Sequence, residues 1–148
     1  MKNNILIVKK YVNLGIAVDT SNGLVVPNIK NAEKLSIKEL NDSIIDISQK
    51  ARDRNLSPSD MMEGSFTISS LGGIGGRYFT PIINKPEVAI MGISRTFKKV
   101  YLNHNKNPYE VNILPFSISY DHRVIDGAEA AKFCNLFKNN LKNLSING

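Results

Sequence analysis

From Tyr11 to Val18 the chain alternates, with Val12, Leu14, Ile16 and Val18 on one side and polar or small residues on the other. A period of two predicts a half-buried strand. Thr20-Ser21-Asn22-Gly23 supplies turn chemistry, because Asn-Gly adopts positive φ cheaply, and residues 24–29 return as a second strand. Pro27 has no N–H for a ladder, so it marks a sheet edge or a strand end. The period then changes. Ile37, Leu40, Ile44, Ile47 and Ala51 recur at helical spacing, Ser36 and Glu39 form a capping box, and Lys38, Asp42, Asp46 and Lys50 make the solvated face. Ser57, Pro58 and Asp60 predict a short second helix.

The remaining pattern is mostly strand. Residues 65–70 alternate, with Phe66 and Ile68 opposite Thr67 and Ser69. Residues 71–81 form a glycine-rich connection, and residues 87–97 are apolar enough for a strand buried on both faces. A polar hairpin loop is expected over 102–110 and a further strand within 111–120. A closing helix runs from about Asp126 to Leu144, with Asp126 as cap and Glu129 as its capping-box partner. Strands mixed with helices, no internal repeat and no linker predict one α/β domain over residues 1–148, a mixed sheet with helices packed on it.

Composition adds limits rather than a function. The apolar content of 42% is enough for a continuous core. No apolar run approaches the roughly 20 residues that span a bilayer. The short apolar stretch after Met1 is below a signal-peptide core of about 7–15 residues, so a reducing, cytosol-like compartment is expected. The net charge of +6 favours acidic partners, but the lysines are scattered and lack aromatic interleaving, which argues against nucleic acid. Cys134, the single cysteine, falls on the apolar face of the last helix and reads as a buried packing residue.

Candidate chemistry concentrates at one corner. Gly72-Gly73-Ile74-Gly75-Gly76 leads into a strand rather than a helix and lacks a following Lys-Ser/Thr, so it reads as a tight connection and not a phosphate loop. His104 sits in a polar loop and reads as a surface residue. No G-x-S-x-G elbow is present for a serine hydrolase. His122 lies at a strand end between Asp121 and Arg123, four residues before the helix cap Asp126. The residues alone leave two readings of His122 open, a general base oriented by charged neighbours or an ordinary corner residue.

The segment SYDHRVIDGAEAAKF resembles the D-H-R-x-x-D-G motif of the dihydrolipoamide acyltransferases, the E2 components of 2-oxo-acid dehydrogenase complexes. YVNLGIAVDTSNGLVVP, ISQKARDRNLSPSDMMEGSFTISSLGGIGG and PIINKPEVAIMGISR resemble further segments of that family in the same order, closest in flavour to the pyruvate dehydrogenase acetyltransferases. The resemblance implies a chloramphenicol-acetyltransferase-like fold and acetyl transfer from acetyl-dihydrolipoamide to coenzyme A, with no metal. It implies His122 as the base for the attacking thiol, Ser69 as the hydrogen-bond donor to the oxyanion, and Asp126 as support for the site, with Gly127 allowing close packing at the helix start. It does not assign the residues that bind coenzyme A.

Relative to that family the chain reads as the C-terminal part of the catalytic domain, without lipoyl or subunit-binding domains. The resemblance implies a homotrimer within a larger core, so that Ser69 and His122 act from different chains. Lipoyl domains, and the E1 and E3 components through domains outside these 148 residues, are the implied partners. The alternative is a non-catalytic assembly piece of the core. A cytoplasmic location is expected, an organelle matrix being the alternative.

Overall fold

The computed structural model describes residues 5–144. The expected first strand is broken. β1 (Leu14–Ile16) and β2 (Val18–Thr20) belong to different sheets, because after Ala17 the chain leaves β1's neighbours to form a two-stranded ribbon with β3 (Gly23–Val25). Thr20 pairs with Gly23, whose φ of 107° is the positive value that the turn needs. Pro27 then precedes β4 (Asn28–Ile29), which is an edge strand as its missing N–H requires.

Helix α1 (Ile37–Arg52) starts at Ser36 with both bonds of the capping box formed. Its apolar stripe is only half used. Ile47 and Ala51 are buried, whereas Ile37 is 62% exposed and Ile44 39% exposed. The packing partners explain this, since α1 lies against β2 and the short β4, and the core it joins is the compact cluster of Ile29, Ala32 and Ile47. Residues Pro58–Met61 form a 3-10 turn capped reciprocally by Ser57 and Asp60.

β5 (Phe66–Ser70) and β6 (Ala89–Ile93) are parallel neighbours. β9 (Phe116–Tyr120) pairs antiparallel with β6, giving the mixed sheet β4-β1-β5-β6-β9. The nearly continuous apolar run in β6 is buried as expected, with Ala89, Ile90 and Met91 all inside. β7 (Phe97–Leu102) and β8 (Pro108–Ile113) make a separate hairpin, so the polar loop is shorter than residues 102–110 and His104 sits exposed in it.

Register divides the sheet into two chemically different faces, because paired residues point the same way. Leu14, Ile16, Phe66, Ile68, Met91, Phe116 and Ile118 share one face. Both helices cover it: Leu14 and Ile16 pack on the α1 cluster, and α2 (Gly127–Asn143) sets Phe133 tilted against Phe66 and Phe137 edge-on against Phe116, with ring centroids 5.9 and 5.0 Å apart. Gly15, Thr67, Ser69, Gly92, Ser117 and Ser119 lie on the other face. The irregular segment 71–88 covers that face, where Ser117 Oγ donates to the Phe79 carbonyl at 2.6 Å and Thr67 Oγ1 to Glu87 Oε2 at 2.7 Å.

Candidate active site

The D-H-R corner is built by hydrogen bonds that fix everything except the histidine. The Asp121 amide donates to the Val88 carbonyl at 2.8 Å, tying the corner to the strand beside it. The Val124 and Ile125 amides donate to the Asp121 carbonyl at 2.9 and 3.0 Å, which reverses the chain within a few residues. Arg123 then closes on the Asp121 carboxylate: its backbone N–H and Nε reach Oδ1 at 3.0 and 2.9 Å, and Nη2 reaches Oδ2 at 2.5 Å. These guanidinium bonds, followed by the Arg123 backbone N–H, hold the Asp121 carboxyl at a pKa of about 2. His122, held between two residues bonded to each other, projects exposed, with its ring 5.7 Å from that of Tyr120.

Asp126 caps α2, its Oδ1 accepting from the Glu129 amide at 2.8 Å. The predicted capping box is only half formed, since Glu129 makes no return bond to the Asp126 backbone and leaves its side chain exposed. Close packing at Gly127 is also not required, because a Cβ there would meet the Tyr120 hydroxyl at an ordinary 3.8 Å. Cys134 is half-buried rather than enclosed, for the same reason that α2 has no buried residue: it touches the sheet mainly through two aromatic rings.

Ser69 lies elsewhere. It pairs with Gly92, which in turn pairs with Ser117, on the face away from both helices. Tyr120 pairs with Ala89 at the opposite end of β6. Ser69 is therefore separated from the corner by three to four residues along the strands, about 10–13 Å, and by two strand spacings, about 10 Å. One chain thus places His122 and Asp126 four residues apart on the same strand-to-helix corner and keeps Ser69 apart. An apolar groove of about 300 Å³ between α2 and the sheet, bordered by Phe66, Ala89, Ile118, Tyr120 and Phe133, lies on the helix-covered face and is not bordered by Ser69.

Two polar features escaped the sequence pattern. Thr67, fully buried, donates to Glu87, whose carboxyl is raised above its ordinary value by burial and held back by the Thr67 hydrogen bond and by Lys9. Lys9 in turn donates to the Gly64 carbonyl. Arg95 reaches across from the end of β6 to the Gly72 and Gly73 carbonyls at 3.0 and 3.2 Å, clamping the glycine-rich connection that follows Ser69. An isolated Thr or Arg carries no periodic signal that reveals such partners.

Residues 1–146 match the 2-oxoacid dehydrogenases acyltransferase (catalytic domain) family. The dihydrolipoyllysine-residue acetyltransferase component of the pyruvate dehydrogenase complex from Haemophilus influenzae is 54% identical over 128 residues, which cover 86% of this chain and 22% of that protein. The chain spans between about a fifth and a third of the length of the curated relatives it matches. Among solved structures, Azotobacter vinelandii dihydrolipoamide acetyltransferase, the subject of work on the role of a serine, a histidine and an asparagine in its catalytic mechanism, superimposes with a TM-score of 0.87 at 46% identity, covering 93% of this chain and 56% of that one. The cubic core of the pyruvate dehydrogenase multienzyme complex matches equally well, with a TM-score of 0.87, 46% identity and the same coverage.

Proposed function

Because the chain belongs to the 2-oxoacid dehydrogenase acyltransferase (catalytic domain) family, we propose that it transfers an acetyl group between the thiols of dihydrolipoamide and coenzyme A. Its mixed sheet with helices on one face is the chloramphenicol-acetyltransferase-like fold of those catalytic cores. The observation that carries the mechanistic reading is the separation of Ser69 from the His122 corner within one chain. A serine and a histidine that serve one carbonyl must approach within a few ångströms of it. Residues held more than 10 Å apart along a rigid sheet satisfy that only when they come from different copies. The cubic assembly of the solved relative supports a threefold-built core of this kind.

In this reading His122 accepts the proton of the attacking coenzyme A thiol, a group of pKa about 8.5, as sulfur bonds to the thioester carbon. Ser69 of a neighbouring copy donates to the oxygen that becomes anionic. Collapse of the tetrahedral carbon breaks its bond to the dihydrolipoamide sulfur, which takes the proton back from His122. Asp121 and Arg123 fix the corner from which the imidazole projects. Asp126 holds the helix start beneath it. Lipoyl domains deliver the acyl group, and the E1 and E3 components join through regions beyond these residues.

The Azotobacter enzyme supports the assignments by spacing. Its histidine and asparagine stand four residues apart, as His122 and Asp126 do. Its serine stands 52 residues before the histidine, a separation that here falls on Ser70, with Ser69 one residue further. Facing favours Ser69. Ser70 pairs with Ile93 and lies on the helix-covered face, whereas Ser69 lies on the polar one. Acetyl transfer from acetyl-dihydrolipoamide to coenzyme A should fall by roughly 10²–10⁴-fold in His122→Ala. It should fall on the order of 10²-fold in Ser69→Ala and little in Ser70→Ala. Mixing the inactive His122→Ala and Ser69→Ala chains should restore part of the activity, because mixed assemblies regain intact interfaces. Wild-type activity in His122→Ala removes the assignment, and no recovery on mixing removes the shared site.

A further inference from the structure

Gly15 and Gly64 are glycines for a shared reason. A Cβ on Gly15 would stand 2.6 Å from Thr67 Oγ1, and one on Gly64 would stand 2.4 Å from Glu87 Oε1 and 2.5 Å from Asn28 Oδ1, all closer than real Cβ atoms come. Gly15 pairs with Asn28 on one side and Thr67 on the other, so both side chains lie on the polar face of the sheet. Two absent side chains thus let an amide, a hydroxyl and a carboxyl meet there. Their donors and acceptors do not balance. Thr67 Oγ1 donates to Glu87 Oε2 at 2.7 Å, Asn28 Nδ2 donates to the Asp60 carbonyl at 3.3 Å, and Lys9 donates to the Gly64 carbonyl. Asn28 is only 4% exposed, and its Oδ1 has no donor among the described residues. A buried acceptor without a donor is destabilising. The oxygen that converges on the same point is Glu87 Oε1, and a carboxyl oxygen donates only when it carries a proton.

We propose that Glu87 and Asn28 form a proton-operated clasp, in which protonated Glu87 donates from Oε1 to Asn28 Oδ1 and fastens the end of the 71–88 segment to β4. In the neutral form both carboxyl oxygens are used, Oε2 accepting from Thr67 and Oε1 donating to Asn28. Ionisation turns the second bond into a repulsion between two acceptors and leaves the Thr67 bond to hold the segment alone. The groups facing the carboxyl are Lys9 from the segment ahead of β1, Thr67 from β5, Asn28 from β4 and Asn84 from its own segment. Lys9 is the charged one among these and favours the anion, whereas burial opposes it and is the larger influence. The clasp therefore closes as pH falls and is lost as pH rises through the raised folded value. It stands independently of the acyltransferase reading.

Glu87→Gln tests it, because the amide supplies a permanent donor to Asn28 and keeps an oxygen for Thr67, holding the clasp closed at every pH. In urea unfolding of the whole chain, the midpoint of Glu87→Gln should exceed that of wild type at neutral pH, and the two should converge in acid. NMR titration of the Glu87 side-chain carboxyl should give a pKa above the ordinary glutamate value, and Asn28→Ala should move it down. Where Asn28→Ala does not fold, the Glu87→Gln comparison decides alone. A midpoint for Glu87→Gln at or below wild type at neutral pH overturns the clasp, since the carboxylate then serves as an anion. A Glu87 pKa that does not respond to Asn28→Ala in the folded variant overturns it too. Neither result bears on acyl transfer, which is read separately through His122→Ala.

Discussion

Replacing Thr67 by Val tests how the polar face of the sheet is held. Thr67 has no exposed surface, and its hydroxyl donates to Glu87 Oε2 at 2.7 Å. Valine keeps the shape and removes the donor, which leaves a half-buried carboxylate short of one partner. A hydrogen bond to a charged group contributes about 1.5–3 kcal/mol, and a neutral one about 0.5–1.5 kcal/mol. Thr67→Val should therefore destabilise by about 1.5–3 kcal/mol near neutral pH, where Glu87 is ionised, and by less in acid, where it is protonated. The pH dependence has a definite sign. Burial raises the Glu87 carboxyl above the value of 4.5 that it has when unfolded, so between the two values the folded chain binds more protons. Stability from this group is present at low pH and falls as pH rises through that window. Loss of the Thr67 bond removes an influence that lowers the Glu87 pKa, so the window should extend to higher pH. Urea unfolding followed by circular dichroism, at neutral and acid pH with unchanged slope, measures both effects. Equal midpoints for wild type and variant at neutral pH, or the same loss at both pH values, would refute the reasoning.

Arg123→Gln should raise the Asp121 pKa from about 2 toward the ordinary aspartate range, read by NMR titration of the Asp121 side-chain carboxyl. Because that pKa is depressed in the folded chain, its stabilising effect is present above the unfolded value and is lost as pH falls through the folded one. An unmoved titration removes the clamp. Met91→Ala, at a position 2% exposed in the interior strand β6, should cost about 2–5 kcal/mol in urea unfolding, and a loss below about 1 kcal/mol would contradict the placement of the core. Asp126→Asn should keep the α2 cap, whereas Asp126→Ala should cost about 0.5–2 kcal/mol. Activity lost equally in both would assign the role at this position to the carboxylate and not to capping.

Legibility in the sequence followed the range of the forces involved. The α1 cap, the hairpin glycine and the doubly buried β6 were readable because each depends on neighbours within a few residues or on a strong period. The break after Ala17 was not, since an unbroken alternation does not show where a chain changes sheets. The exposed half of the α1 stripe and the half-buried Cys134 fall outside the pattern for a related reason: periodicity names a face but not the extent of the surface packed against it. At the candidate site the residues alone single out His122 without choosing its role and read Asp126 as a helix cap, and the site roles of His122, Asp126 and Ser69 all rest on resemblance. Ser69 carries the weakest local signal, because its relation to His122 depends on strand register across the sheet.

The two ends of the D-H-R-V-I-D-G corner are anchored to parts of very different permanence. Asp121 is bonded to Val88 at the mouth of β6, while Asp126 caps a helix that has no buried residue and rests mainly on two aromatic contacts. Hydrogen exchange should therefore be graded, fastest for the amides of α2 and slowest for those of β6, with the Asp121, Val124 and Ile125 amides following the sheet. Local opening of α2 frees Asp126 from its capping role and leaves the corner that carries His122 standing, so that one member of the pair is lost transiently while the other persists through every event short of global unfolding.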